Sequence, residues 1–294
     1  MQRFVLGALV VALAVVGWPY CGSSDSRHMA RERAVHGADV EPGDLRVSQP
    51  LEQTSRDSQS ASPSAGKLEW LMIRDGFEAG ELAVVADGRE VDRIFLARIS
   101  PAKFRFEVRN EATPARSLDA WIRQFDAVLV INGSYYTPRN APDTPILSAG
   151  TLLGPDTYDA RAGAFVASGA FAGIRDLLQQ SWQDAFKGAR DAMVSYPLLI
   201  AENGASRVVA SQRQAKRSFV GQDLDGNIIV GTTAGGFFSL PQLAAFLRQA
   251  PLGLKLALNL DGGPVACQGI SLDGFERRVC EIPALPIVLA VLPK

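Results

Sequence analysis

The chain has 294 residues, 47% of them hydrophobic, with a formal net charge of −1. That length can bury one substantial core or two small ones. The balanced charge excludes a global field for nucleic acid or anionic membrane, so any anion site must be local.

In chain order, Met1-Gln2-Arg3 and the apolar run Phe4 to Val16 come first. They predict a signal peptide or an uncleaved N-terminal anchor over 1–20, because the run fits an h-region and is short for a membrane span. Residues 21–67 are rich in Ser, Arg, Asp, Glu, Gln and Pro and read as a disordered tether, which leaves 68–294 as one folded domain. This implies a periplasmic or secreted protein, held to a membrane by its N-terminus if the segment stays uncleaved. Trp70 to Ile73 opens the domain as a strand, followed by strands over 82–86, 92–99 and 104–108, with Asp87-Gly88 turning between the first two of these. Ser117 is a good N-cap for a helix carrying Leu118, Trp121, Ile122 and Phe125. Next come a strand from Val128, a Pro- and Gly-rich rim over 137–163, a helix over 174–189 with Trp182 and Phe186 on its inner face, and a hairpin turning at Asp223 to Asn227. A helix begins near Ser239-Leu240-Pro241, strands follow at 256–260 and 287–291, and Tyr196-Pro197-Leu198-Leu199-Ile200 reads as scaffold. The fold class implied is α+β, with a mixed, largely antiparallel sheet core and a few packing helices.

Missing residue types narrow the chemistry. Both histidines, His28 and His36, precede the domain, which excludes Ser-His-Asp and Cys-His systems and His-based zinc sites within it. No Gly-x-Gly-x-x-Gly or P-loop occurs, so no nucleotide cofactor is expected; no metal site is assigned, although a divalent cation would be compatible. Cys267 and Cys280 are the domain's only cysteines and would form one disulfide in an oxidising compartment.

Three apolar runs end in polar, glycine-flanked clusters: Asn132-Gly133-Ser134-Tyr135-Tyr136, Lys216-Arg217-Ser218-Phe219-Val220-Gly221, and Asn259-Leu260-Asp261-Gly262-Gly263. Their order and spacing resemble the phosphodiester glycosidase domain family over roughly residues 68 to 294. Many relatives have Asn-Gly-Gly-Phe-Phe at the first cluster and Asp-Gly-Gly-Gly-Ser-Ser at the last, where this chain has Ser134-Tyr135-Tyr136 and Pro264-Val265-Ala266. The resemblance implies an exported hydrolase that cleaves the sugar–phosphate bond of sugar-1-phosphodiesters.

The residues suit that chemistry. Arg217 offers a planar fork of donors for phosphate oxygens. Asp261 would act as base or nucleophile, and Asn132 would complete the catalytic set. Gly133, Gly262 and Gly263 would lend backbone amides; Ser134, Tyr135 and Asn259 would contact the sugar, and of the adjacent Tyr135 and Tyr136, which face opposite ways on a strand, one is expected in the core. A phosphate monoester leaves easily, its second pKa being about 6, so one carboxylate suffices; if a second acts, Asp143, Asp156 and Glu202 are candidates. Lys216 is expected to face solvent. The alternatives are an ordinary O-glycosidase on this scaffold, which needs two carboxylates, and a non-catalytic protein that binds envelope polysaccharide.

Overall fold

The structure, a computed structural model, describes residues 62–294 except 114, 160, 170 and 283. The signal or anchor segment and most of the expected tether lie outside the described residues. In chain order the strands are β1 (Ser64–Arg74), β2 (Phe77–Ala86), β3 (Arg89–Ile99), β4 (Phe104–Asn110), β5 (Leu129–Asn132), β6 (Ile146–Ser148), β7 (Thr151–Leu153), β8 (Gly163–Ser168), β9 (Phe171–Asp176), β10 (Asp191–Ser195), β11 (Leu198–Ile200), β12 (Ser218–Asp223), β13 (Ile228–Thr233), β14 (Leu254–Asn259), β15 (Gln268–Leu272), β16 (Phe275–Val279) and β17 (Ile287–Pro293). The helices are α1 (Leu118–Phe125), α2 (Trp182–Ala185) and α3 (Leu240–Gln249). β1 therefore starts inside the stretch read as tether.

The strands form three sheets. One has seven strands in the order β1-β2-β3-β13-β12-β14-β11; the others have five each, β7-β6-β10-β8-β9 and β16-β15-β5-β17-β4. Their pairings are antiparallel. This is the expected α+β class with antiparallel sheets dominant.

Strand alternation explains how the sheets pack. In β3, Ala97 and Ile99 enter a core shared by all three sheets, while Ile94 and Leu96 pack beneath α3. In β17, Ile287, Leu289 and Val291 face the shared core, while Val288, Ala290 and Leu292 meet α1. In β8 and β10, Phe165 and Met193 face inward, while Ala164, Val166, Ala192 and Val194 meet α2. Each sheet thus gives one face to a common core and the other to its own helix. Central strands buried on both faces read as continuous apolar runs, which is why the alternation in β3 looks only partial in the sequence. Each fully buried Phe or Leu contributes about 1.5–3 kcal/mol.

Helix ends follow the expected chemistry. Ser117 Oγ accepts from the Ala120 N–H at 3.2 Å, and Ser239 with Gln242 forms a capping box ahead of α3. The expected helix over 174–189 is corrected: residues 171–176 are β9, and only Trp182–Ala185 is helical. Asp176 ends the strand by accepting from the Leu178 N–H and pairing with Arg207. Trp182 and Phe186 do pack together, with ring centroids 5.3 Å apart, but on a single turn capped by Ser181. Among the described residues, no helix is long and apolar enough to cross a membrane.

Candidate functional site

The three clusters singled out in the sequence meet where the sheets converge. Asn132 ends β5 in one five-stranded sheet, and Asp261 follows β14 in the seven-stranded sheet. Arg217 directly precedes β12, and Tyr196 lies on the crossover from β10 to β11. The Asp261 segment is pinned from several sides. Its N–H donates to Gly133 O at 3.1 Å, its carbonyl accepts from Asn132 Nδ2 at 2.8 Å, and the Leu260 N–H donates to Ser218 O at 2.9 Å. Asn132 is 2% exposed, and its Oδ1 accepts from the Cys267 N–H at 3.0 Å. Its amide is spent on backbone, so it braces the site and has no free group for substrate.

Asp261 Oδ1 accepts from the Gly262 N–H at 2.8 Å. Burial pushes the carboxyl up to about 6, against the small downward pull of that bond. Tyr135 lies beside it. Its hydroxyl donates to Tyr196 O at 2.9 Å and accepts from Asn259 Nδ2 at 2.8 Å, and its ring stacks on Tyr196 with centroids 4.4 Å apart. Burial first, then the Asp261 and Tyr196 charges, raise the Tyr135 phenol, with Arg217 opposing them. Of the two tyrosines, Tyr136 is the one that packs against the shared core; both lie beyond the end of β5, and Tyr136 makes an isolated bridge to Pro142.

Arg217 is 8% exposed. Its Nε donates to Phe238 O at 3.1 Å and its Nη2 to Arg213 O at 2.7 Å. Nη1 faces the Asp261 segment: a Cβ on Gly262 would lie 3.7 Å from it. No carboxylate pairs with Arg217 among the described residues. Burial lowers its pKa, and the nearby Arg213 adds to that. A buried guanidinium without a counter-ion is costly, and an arriving anion would offset that cost.

Several expectations are corrected. The glycine amides are not free: Gly133 N–H donates to Ile287 O, Gly262 N–H to Asp261 and Gly263 N–H to Lys216 O. Gly133 and Gly262 serve instead for close approach, because a Cβ would lie 2.5 Å from Ile287 Cγ2 or 2.9 Å from Lys216 O. Ser134 is 1% exposed and its Oγ accepts from Thr144 Oγ1, so it faces inward. Lys216 does not run into solvent; it is half-buried and paired with Glu281 at 2.6 Å. Asp156 and Glu202 are exposed on loops. Asp143, also exposed, donates its N–H to Tyr135 O, and its charge acts on Tyr196.

Sequence reasoning missed Tyr196. Burial chiefly, then Asp143, Asp159 and Asp261, raise its phenol. It also missed the rim pair Asp159 and Arg161, bonded side chain to side chain. An aromatic before a proline signals only a turn or extended dipeptide, and only the stack on Tyr135 reveals Tyr196's place. Cys267 and Cys280 form the expected disulfide, which ties the start of β15 to the residue after β16. Among the described residues, no group of three or more His, Cys, Asp or Glu is placed to hold a metal ion.

Residues 125–266 match the phosphodiester glycosidase family. The matched stretch contains all three clusters and bears out the resemblance read from the sequence. The fold resembles the catalytic domain of zebrafish N-acetylglucosamine-1-phosphodiester alpha-N-acetylglucosaminidase auto-inhibited by its pro-peptide, with TM-score 0.53 and 15% identity over 81% of this chain and 85% of that one. It also resembles a hypothetical protein from Synechocystis, with TM-score 0.54 and 17% identity over 78% of this chain; this chain spans 64% of that protein, less than two thirds. No curated protein matches the sequence. The family match over residues 125–266 points toward a glycosidase-type function.

Proposed function

We propose that this protein is an exported hydrolase that cleaves the bond between a sugar's anomeric carbon and a phosphodiester. The observation that carries this reading is Arg217, a buried guanidinium with no carboxylate partner among the described residues, turned toward the Asp261 segment. Its backbone-held Nε and Nη2 fix the plane of the fork and direct Nη1 to a phosphate oxygen. Asp261 in its ionised form is the base toward water or the nucleophile at the anomeric carbon. The departing phosphate monoester needs no strong acid, since its second pKa is about 6. The stacked Tyr135 and Tyr196 offer an aromatic wall for the sugar, and Asn259 fixes the Tyr135 hydroxyl. Asn132 enters this reading as a brace for Asp261.

The pKa of Asp261, near 6, also suits the acid of an ordinary O-glycosidase. That reaction requires a second working carboxylate, and Asp143, the carboxylate whose charge acts most on Tyr196, is exposed. The phosphodiester reading is therefore preferred. Export rests on the apolar run Phe4 to Val16 and is compatible with the disulfide; a periplasmic or secreted protein acting on glycopolymers of the envelope follows from it.

The test is release of free sugar from UDP-N-acetylglucosamine and from the methyl phosphodiester of alpha-N-acetylglucosamine-1-phosphate, with Asp261→Asn and Arg217→Ala in parallel. Turnover by wild type and its loss in both variants supports the reading. Glycan binding without turnover would replace it with the polysaccharide-binding one.

A further inference from the structure

Asp92 lies 125 positions before Arg217, on β3, and no sequence cluster includes it. It is 7% exposed, and its carboxylate pairs with no cation among the described residues. It is satisfied by backbone instead. Oδ1 accepts from the Arg93 N–H at 2.7 Å and the Gly235 N–H at 2.7 Å, and Oδ2 accepts from the Phe237 N–H at 3.2 Å. A carboxylate holding amides of a distant segment fixes that segment's path, because leaving either side unpaired in a buried place is costly.

The segment it fixes leads to Arg217. Thr233 exchanges bonds with Arg217: its N–H donates to Arg217 O at 2.9 Å, and its Oγ1 accepts from the Arg217 N–H at 3.0 Å. The same hydroxyl donates to Gly235 O at 2.7 Å. One residue after Phe237, whose amide Asp92 holds, the turn reaches Phe238, whose carbonyl accepts from Arg217 Nε and from the Ala215 N–H. The chain of bonds therefore runs from Asp92 through residues 235–238 to the guanidinium.

We propose that Asp92 is a positioning residue for the anion site: by clamping the turn over residues 235–238 it holds the Phe238 carbonyl that aims Arg217 at the phosphate of the substrate. This rests on the reading of Arg217 as the phosphate ligand. Gly235 belongs to the same device, since a Cβ there would lie 3.2 Å from Asp92 Oδ1 and press on the clamp. Asp92→Asn keeps the size but replaces one acceptor oxygen with a donor facing an N–H. Arg217 then loses its fixed plane while remaining charged. A misplacement of roughly 1 Å in a positioning group costs on the order of 10²-fold in rate.

A double-mutant cycle in the full chain tests this, with Asp92→Asn, Arg217→Ala and the pair, and with Gly235→Ala as a second route should Asp92→Asn fail to fold. Two readouts are taken for each protein: kcat/KM on the methyl phosphodiester of alpha-N-acetylglucosamine-1-phosphate, and Kd for inorganic phosphate by calorimetry. Thermal midpoints report stability separately. The expected result is a loss of roughly 10- to 100-fold in kcat/KM and weaker phosphate binding for Asp92→Asn, with less than about twofold further loss when Arg217 is already Ala. A purely structural Asp92 would lower the thermal midpoint equally in both backgrounds and show additive or no effects on phosphate binding, which would overturn the proposal. If wild type binds phosphate without turnover, the glycosidase reading falls while the phosphate cycle still decides the role of Asp92. If wild type binds no phosphate and turns over substrate with Arg217→Ala unimpaired, the proposal falls and Asp261 chemistry stands without it.

Discussion

Asn132 and Asp261 lie 129 positions apart in sequence, yet the Asn132 Nδ2 donates to the Asp261 carbonyl at 2.8 Å. The same side chain accepts from the Cys267 N–H, so a single buried amide joins the end of β5 to both sides of the Asp261 turn. Asn132→Ala leaves a carbonyl and an N–H without these partners. Each such loss costs about 1–3 kcal/mol. The expected outcome is a fall of roughly 3 kcal/mol in unfolding free energy, read as a lower urea midpoint with an unchanged slope, together with reduced activity. Normal stability would show that water replaces the amide and that Asn132 is not a brace.

The disulfide closes a short loop on the same turn. Cys267 and Cys280 are 13 residues apart. Closing a loop of this size stabilises by about 3 kcal/mol in the chain-entropy picture. Because the Cys267 backbone also holds Asn132, Cys267→Ser with Cys280→Ser should lower both the urea midpoint and kcat/KM. Dithiothreitol should do the same to wild type and nothing to the double variant. An unchanged wild-type midpoint under reductant would mean that the thiols are not paired in solution.

Gly262 is set tightly between the Lys216 carbonyl and Arg217. An added Cβ would meet Lys216 O at 2.9 Å, and this oxygen is backbone, so something must shift. Gly262→Ala should lower kcat/KM by at least tenfold, because the displaced turn carries Asp261 and crowds Nη1 of Arg217. Arg217→Lys should fare no better. An ammonium cannot hold Phe238 O and Arg213 O while also reaching substrate. Kinetics on both variants read this directly, and a Gly262→Ala enzyme of wild-type activity would show that the turn yields without moving the site.

Much of the site was legible because its information is local. A strand that ends in a polar residue and a glycine announces itself within a few positions, as at Asn132-Gly133 and Asp261-Gly262. The caps Ser117 and Ser239 are equally local. What the glycines do was not legible, since the partners of their amides, Ile287 O and Lys216 O, lie far along the chain. The helix expected over 174–189 failed for a related reason. Ile174, Trp182 and Phe186 mimic helical spacing, but Ile174 points into the shared core from β9, whereas the two aromatics cover the opposite face of that sheet from α2. Strand alternation would put Lys216 opposite Arg217 and toward solvent, but both residues precede β12, which begins at Ser218, so alternation does not apply to them. Asp92, Tyr196 and the pairing of Lys216 with Glu281 are all consequences of strand order, which no short window contains.

Asp261 should make both stability and activity depend on pH near 6. Its carboxyl is raised from 3.8 to about 6 in the folded protein, chiefly by burial. The folded state therefore holds a proton that the unfolded chain has released between about pH 4 and 6. Stability from this group is fully present below about pH 4 and is lost as pH rises through 6. A shift from 3.8 to about 6 corresponds to roughly 2–3 kcal/mol. Asp261→Asn carries no such titration, so relative to wild type it should gain stability up to about pH 7 and lose that advantage near pH 4. Activity runs the opposite way. With the carboxylate as base or nucleophile, kcat/KM should rise about tenfold per pH unit below 6 and level off above it. Urea midpoints from pH 4 to 8 for both proteins, beside the wild-type pH–rate profile, check the two halves together. A profile that falls above pH 6 would make Asp261 the acid and favour the O-glycosidase reading.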